Sequence, residues 1–236
     1  MKLPLLFALA SATFVCAPSP ASAFPPYRSA DAVPANPYEL GVRLGVGRVE
    51  WDRGRSDVTA PLLRASLGLP DGLEVISQLE YSPNTDRLAD GAVGGKWATV
   101  VTETVSVGVE ALALLPVRPS SGGVGVESLF VATFQGDAYR LHLNAGGFYD
   151  PRAGPARSGW RASALAEVVP RPGRRFGFEV FGKDSDRGGA DLRAGAGLIY
   201  DLGPFDVRTA VHLGLSPAAP DVVTSLWLTT SFPLGR

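Results

Sequence analysis

From Tyr38 onward, apolar and polar residues alternate with period two, the signature of strands that present two different faces. In the first run Tyr38, Leu40, Val42, Leu44 and Val46 share one face, and Glu39, Gly41, Arg43, Gly45 and Gly47 share the other. The pattern recurs with Leu63, Ala65, Leu67 and Leu69 against Arg64, Ser66 and Gly68, and with Leu73, Val75, Leu79 and Tyr81 against Glu74, Gln78 and Glu80. Val105, Val107, Val109 and Ala111 then oppose Ser106, Gly108 and Glu110. In the second half Tyr139, Leu141, Leu143 and Ala145 oppose Arg140, His142 and Asn144, and Trp160, Ala162, Ala164 and Ala166 oppose Arg161, Ser163 and Glu167. Leu192 to Tyr200 and Val207 to Leu213 repeat the scheme, with Arg193, Arg208 and His212 on their polar faces. With weaker runs near 91–101, 124–135, 174–183 and 221–232, the pattern predicts about twelve strands of roughly ten residues.

The connections sort into two kinds. Those after the second, fourth, sixth, eighth and tenth strands are tight: Pro70-Asp71-Gly72, Thr102-Glu103, Gly136-Asp137, Pro170 to Gly173, and Gly203-Pro204. The others, such as WDRGRSD, SPNTDRLAD, DPRAGPARSG and GKDSDRGG, are longer and polar. Short turns alternating with long loops, on an even strand count, predict an all-β, transmembrane, antiparallel up-and-down barrel with both termini at the short-turn end.

Aromatic side chains bear on which face meets what. Tyr38, Trp51, Tyr81, Trp97, Tyr139, Tyr149, Trp160, Phe176, Tyr200, Phe205 and Phe232 sit mostly near strand ends, where they suit two interfacial girdles. The middles of the apolar faces are Leu, Val, Ala and Gly, which suit lipid. The charged face would cost a few kcal/mol per charge against lipid, so it is placed inside.

The chain ends and composition set the compartment. Met1-Lys2, the apolar stretch Leu3 to Val15 and the small-x-small site Ala21-Ser22-Ala23 predict a cleavable signal peptide over 1–23. Cys16 offers an alternative lipoprotein reading, but Thr13-Phe14-Val15 lacks the small residue such cleavage prefers. A cut after Ala23 leaves no cysteine, hence no disulfide and no thiolate metal ligand. Residues 24–37, FPPYRSADAVPANP, read as a Pro-rich, extended periplasmic leader, and 38–236 as the barrel. A chain with 28 Gly and 20 Pro has little room for long helices. No apolar run after the leader is long enough for a membrane helix. A net charge of −1 argues against a nucleic-acid partner. The expected home is the outer membrane of a Gram-negative cell, with outer-membrane lipid and a small-molecule solute as partners.

Candidate chemistry is sparse. His142 and His212 lie on polar strand faces, and neither has a serine two residues away as a lipid hydrolase of this architecture needs. Glycine pairs such as Gly45 and Gly47 fall inside strands, where no phosphate-binding loop forms. No Cys/His cluster has metal-ligand spacing. No enzyme and no cofactor are expected. The lumen-lining candidates are Arg43, Arg64, Glu80, Lys96, Glu110, Arg140, His142, Glu179, Arg193, Arg208 and His212. Acids and bases are nearly balanced among the inner-face charges, which argues against strong ion selectivity.

Several segments resemble the outer-membrane family named for the MetA-pathway of phenol degradation, a set of exported barrels regarded as transporters. The residues that carry the likeness are LEVISQLEYSP, DGAVGGKWATVV, VSVGVEALALLPVRPSSGG, LHLNAGGFYD, FGFEVFGK, AGAGLIYDLG and SLWLTTSF, across most of 70–232. The resemblance implies a barrel that passes hydrophobic or aromatic compounds. Three readings of function stay open: a channel or transporter for small solutes, a non-conducting structural or surface-interaction barrel, and a soluble β-barrel with an apolar ligand in its core.

Overall fold

Twelve strands close on themselves in the computed structural model, which describes residues 26–51, 54–85, 87–116, 122–152, 156–186 and 189–235. They are β1 (Glu39–Trp51), β2 (Arg55–Gly68), β3 (Leu73–Ser82), β4 (Arg87–Thr102), β5 (Val105–Leu114), β6 (Gly125–Gln135), β7 (Tyr139–Asp150), β8 (Arg157–Arg171), β9 (Arg174–Ser185), β10 (Asp191–Asp201), β11 (Asp206–Gly214) and β12 (Val222–Pro233). Each strand pairs antiparallel with its sequence neighbours, and β1 closes the ring on β12 from Glu39↔Pro233 to Glu50↔Val222. Closure leaves no free strand edge, which is what a sheet in hydrocarbon requires. The expected signal peptide and Cys16 lie outside the described residues.

The period-two pattern becomes an outside and an inside. Leu44, Val75, Val93, Phe130, Phe178, Val180, Leu226 and Leu228 project outward, Phe130 with 68% and Phe178 with 62% of their surface uncovered. Apolar exposure on this scale all round a wall is far beyond what a water-soluble monomer tolerates. It marks a transmembrane barrel. Trp97, Tyr139, Tyr149, Trp160, Phe205 and Phe232 are likewise exposed, at or near the ends of the wall.

Strands reach further into the polar connections than their composition suggests. β1 runs to Trp51 and β2 starts at Arg55, so both strands enter WDRGRSD; Trp51 pairs with Arg55, whose guanidinium lies 5.5 Å from the ring. A polar side chain does not prevent backbone pairing once a neighbour is held in register. Within β2, pairing with β1 slips between Gly45 and Gly47, where Pro61 lacks the N–H that a regular ladder needs.

Neighbouring strands approach closely over small residues. A Cβ placed on Gly146 of β7 would strike the Ser128 carbonyl of β6. Gly146→Ala is expected to cost roughly 1–3 kcal/mol by forcing the two strands apart. The temperature at which the barrel's heat-modifiable gel band converts to the unfolded position measures this, with Gly235→Ala, whose Cβ would meet nothing, as the control.

The inside is not empty. The segment expected as an extended periplasmic leader enters at the short-turn end and runs within the barrel: Tyr27, Ser29, Ala30, Asp31 and Ala32 are all buried. Extended lumen side chains meet it, and so do inward apolar residues. Ala30 and Ala32 pack with Leu129 and Val131, while Tyr27 packs with Leu165, Ile199 and Ala210. Side chains on Gly177 or Gly197 would collide with the Tyr27 ring, so both glycines make its seat.

Candidate functional site: a charged lumen around an internal segment

A chain segment buried without a strand partner must satisfy its backbone by other means. Here side chains from the wall do so, almost residue by residue. Glu179 of β9 accepts hydrogen bonds from the Arg28 N–H at 2.9 Å and the Ser29 N–H at 2.6 Å, and the Ser29 hydroxyl lies 2.6 Å from the same carboxylate. Asn144 of β7 pairs with Ala30 as a second strand would: its Oδ1 accepts the Ala30 N–H at 2.5 Å, and its Nδ2 donates to the Ala30 carbonyl at 2.9 Å. Thr133 of β6 accepts the Ala32 N–H at 2.9 Å. Arg161 of β8 donates to the Arg28 carbonyl, and Lys96 of β4 to the Val33 carbonyl.

Charge pairing reinforces this seat. Lys96 Nζ lies 3.2 Å from Asp31 of the segment and 2.9 Å from Glu74 of β3, all three being buried. His212 Nε2 lies 2.7 Å from Glu179, so the carboxylate that holds Arg28 and Ser29 is itself held by β11. His142 stands 2.9 Å from Thr133 Oγ1 through Nδ1 and 3.3 Å from Glu167 through Nε2. A proton on Nε2 satisfies Glu167 and lets Nδ1 accept from the threonine hydroxyl. Hydroxyl, imidazole and carboxylate in line resemble a hydrolytic triad, but all three are at most 1% exposed, and Thr133 Oγ1 already accepts the Ala32 N–H. The arrangement holds the internal segment and offers no approach to a substrate.

The eleven lumen candidates all belong to strands of the wall. Arg43, Arg64, Lys96, Glu110, His142, Glu179, Arg193, Arg208 and His212 are buried, and Glu80 and Arg140 are half-buried. The structure gathers Lys96, His142, Glu179 and His212 around the segment. Arg64 lies 3.5 Å from Glu110 and 3.0 Å from Gln78, and faces Arg43 across β1 and β2. Arg193 pairs with Asp191 and Arg208 with Asp206, each on its own strand. Glu80 lies opposite Asp90 toward the long loops, within electrostatic reach of Arg28 and Arg152.

Residues that sequence reasoning did not select complete the interior. Thr133, Asn144, Ser163, Glu167 and Arg175 contribute to the seat or its supports. Phe181 points inward, with Arg28, Arg161 and Arg193 5.6–5.8 Å from its ring. The one available signal was the composition of the segment itself: SADAVPA is small enough to lie inside a barrel, and its Ser29 and Asp31 alternate with alanines.

Around the segment, space remains on both sides. At the short-turn end a chamber of about 490 Å³ is bounded by the segment from Asp31 to Asn36 and by Arg43, Lys96, Arg140, Arg175 and Arg208. Toward the long loops a smaller cavity of about 260 Å³ is bounded by Phe148, Asp150, Lys183 and Asp191. Among the described residues, no cluster of His, Cys, Asp and Glu could hold a metal ion.

No family model matches the chain, so the resemblance to the MetA-pathway family is not shown by that comparison. No curated protein matches it in sequence either. Solved structures do match in fold. The COG4313 outer membrane channel from Pseudomonas putida F1 aligns over 86% of this chain and 97% of its own, with a TM-score of 0.64 at 11% identity. The KdgM porin aligns over 82% of this chain and 99% of its own (TM-score 0.63, 11% identity), and the NanC porin over 83% and 100% (TM-score 0.61, 11% identity). The twelve-stranded barrel of this chain therefore shares its fold with outer-membrane porins and channels.

Proposed function

We propose that this chain is an outer-membrane channel for small solutes, exported through a cleavable signal peptide over 1–23, whose lumen carries its own segment 26–37 as an internal plug. The observation that supports it best is the inversion of the barrel: an apolar exterior surrounds charged groups that border a chamber open to the lumen. In this reading the lumen-lining candidates named above form the wall of the path. The segment is held largely by hydrogen bonds and ion pairs, which water and a polar solute replace at modest cost. Solutes with apolar bodies fit the alternation of Val33, Pro34, Val169 and Pro172 with arginines in the chamber, in keeping with the family resemblance.

Swelling of proteoliposomes in isotonic solutions of small solutes tests the proposal. Solute-dependent swelling above protein-free vesicles is the expected result; no swelling from a correctly inserted barrel contradicts it. One observation favours the second reading, a non-conducting structural barrel: nearly every described backbone N–H from Arg28 to Val33 has a partner, as in a permanent core. The same assay separates the two.

A further inference from the structure

The chamber at the short-turn end has one corner whose chemistry is incomplete. Arg140 of β7 and Arg175 of β9 both border it, on either side of β8. The Nε and Nη1 atoms of Arg140 are buried and have no hydrogen-bond partner among the described residues. Its cross-strand neighbour is Glu167, but that carboxylate is already engaged by His142 at 3.3 Å and Arg175 at 3.5 Å. Arg175 lies close enough to Arg140, and separately to Arg208, for each pair of positive charges to repel.

The other carboxylates of the chamber have partners of their own. Asp31 and Glu74 share Lys96, Asp206 pairs with Arg208, and Glu39 lies 2.6 Å from Asn36 at the mouth. Asp201 sits beside Asp206 at the β10–β11 turn, within electrostatic reach of Arg175 and Arg208. Around Glu167 two guanidiniums therefore share one carboxylate, and Arg140 keeps donors that no described residue uses. Burying such donors unpaired is costly, and a planar guanidinium matches a carboxylate in two parallel hydrogen bonds. Val169 and Pro172 from the wall and Val33 and Pro34 from the segment give the same chamber an apolar surface. A chamber of about 490 Å³ holds a ligand of one ring.

We propose that this corner is a binding site for a small organic monocarboxylate with an apolar body, its carboxylate on Arg140 and Arg175 and its body against Val169 and Pro172. The inference deepens the channel reading and rests on it for its role as a substrate site, though the binding itself does not need transport.

Calorimetric titration of the refolded full chain with benzoate, and in parallel with the neutral benzyl alcohol, tests it, with a detergent blank subtracted from each. Saturable benzoate binding is expected, weakened at least tenfold in Arg140→Gln, while benzyl alcohol binds at least tenfold more weakly than benzoate to the parent chain. Arg140→Gln removes a guanidinium whose Nε and Nη1 bond to none of the described residues. A second variant, Val169→Glu, places the chain's own carboxylate in the corner and is expected to abolish benzoate binding with Arg140 intact. Equal affinity for benzoate and benzyl alcohol, or benzoate binding unchanged in both variants, overturns the proposal. If benzoate binds as expected but no solute crosses proteoliposomes, the channel reading falls and the site stands; if solutes cross but benzoate does not bind, the site alone falls.

Discussion

Replacing Glu179 by leucine is expected to release the internal segment from the barrel. One carboxylate there accepts the N–H groups of Arg28 and Ser29, lies 2.6 Å from the Ser29 hydroxyl and pairs with His212. Leucine leaves all these groups without that partner, and a buried donor deprived of its acceptor costs about 1–3 kcal/mol. Three or four such losses exceed what the packing of Ala30 and Ala32 can offset, since small side chains bury little apolar area. The segment then prefers solvent, where water satisfies its backbone. Arg28 provides the readout, because its carbonyl is bonded to Arg161 in the intact protein. Tryptic cleavage after Arg28, followed by mass spectrometry, should accelerate at least tenfold in Glu179→Leu, a change that corresponds to about 1.4 kcal/mol or more of released opening energy. An unchanged rate would mean that Glu179 does not hold the segment.

The second large effect is expected at Lys96, where a single ammonium serves Asp31 of the segment and Glu74 of the wall. Breaking a buried ion pair from one side leaves an uncompensated charge and costs about 3–5 kcal/mol. Lys96→Met should therefore lower the urea midpoint of the barrel substantially. Part of that cost belongs to Asp31, so pairing Lys96→Met with Asp31→Asn should recover some of it. Strictly additive effects in this double-mutant cycle would show that the two residues do not interact across the lumen.

The wall was legible in the sequence because lipid and lumen impose opposite demands on alternate residues. Leu44, Val75 and Val180 go out while Arg43, Glu74 and Glu179 go in, as two-residue periodicity dictates. Where the lumen itself is apolar the signal weakens. In Leu129-Phe130-Val131 the first and third point inward to the segment and the second outward, so three consecutive apolar residues hide the alternation. The strand ends were less legible for a related reason: Arg55 and Arg87 belong to strands because a neighbour pairs with them, which composition does not report.

The internal segment was the least legible part. Its backbone is satisfied by Glu179, Asn144 and Thr133, residues more than a hundred positions away along the chain, so it has no partner strand, and its alternation is only Ser29 to Ala32 long. Pro34 and Pro37 give it the look of a linker, whereas its small residues and the single Asp31 suit a narrow, polar interior. The same long-range support explains why Glu167, though placed on an inner face, was not among the lumen-lining candidates, and why Arg175 was not singled out. Their roles follow from which strands flank β8 and from what His142 and Arg140 need.

Single-channel conductance in planar bilayers, recorded for the full chain and for a chain lacking 26–33, distinguishes a plugged channel from a solid barrel. Small or intermittent currents are expected from the full chain and steady steps several-fold larger from the shortened one, because the lumen loses the segment that fills it. Equal conductance in the two, or silence from a shortened barrel that is folded and inserted, would contradict the plugged channel.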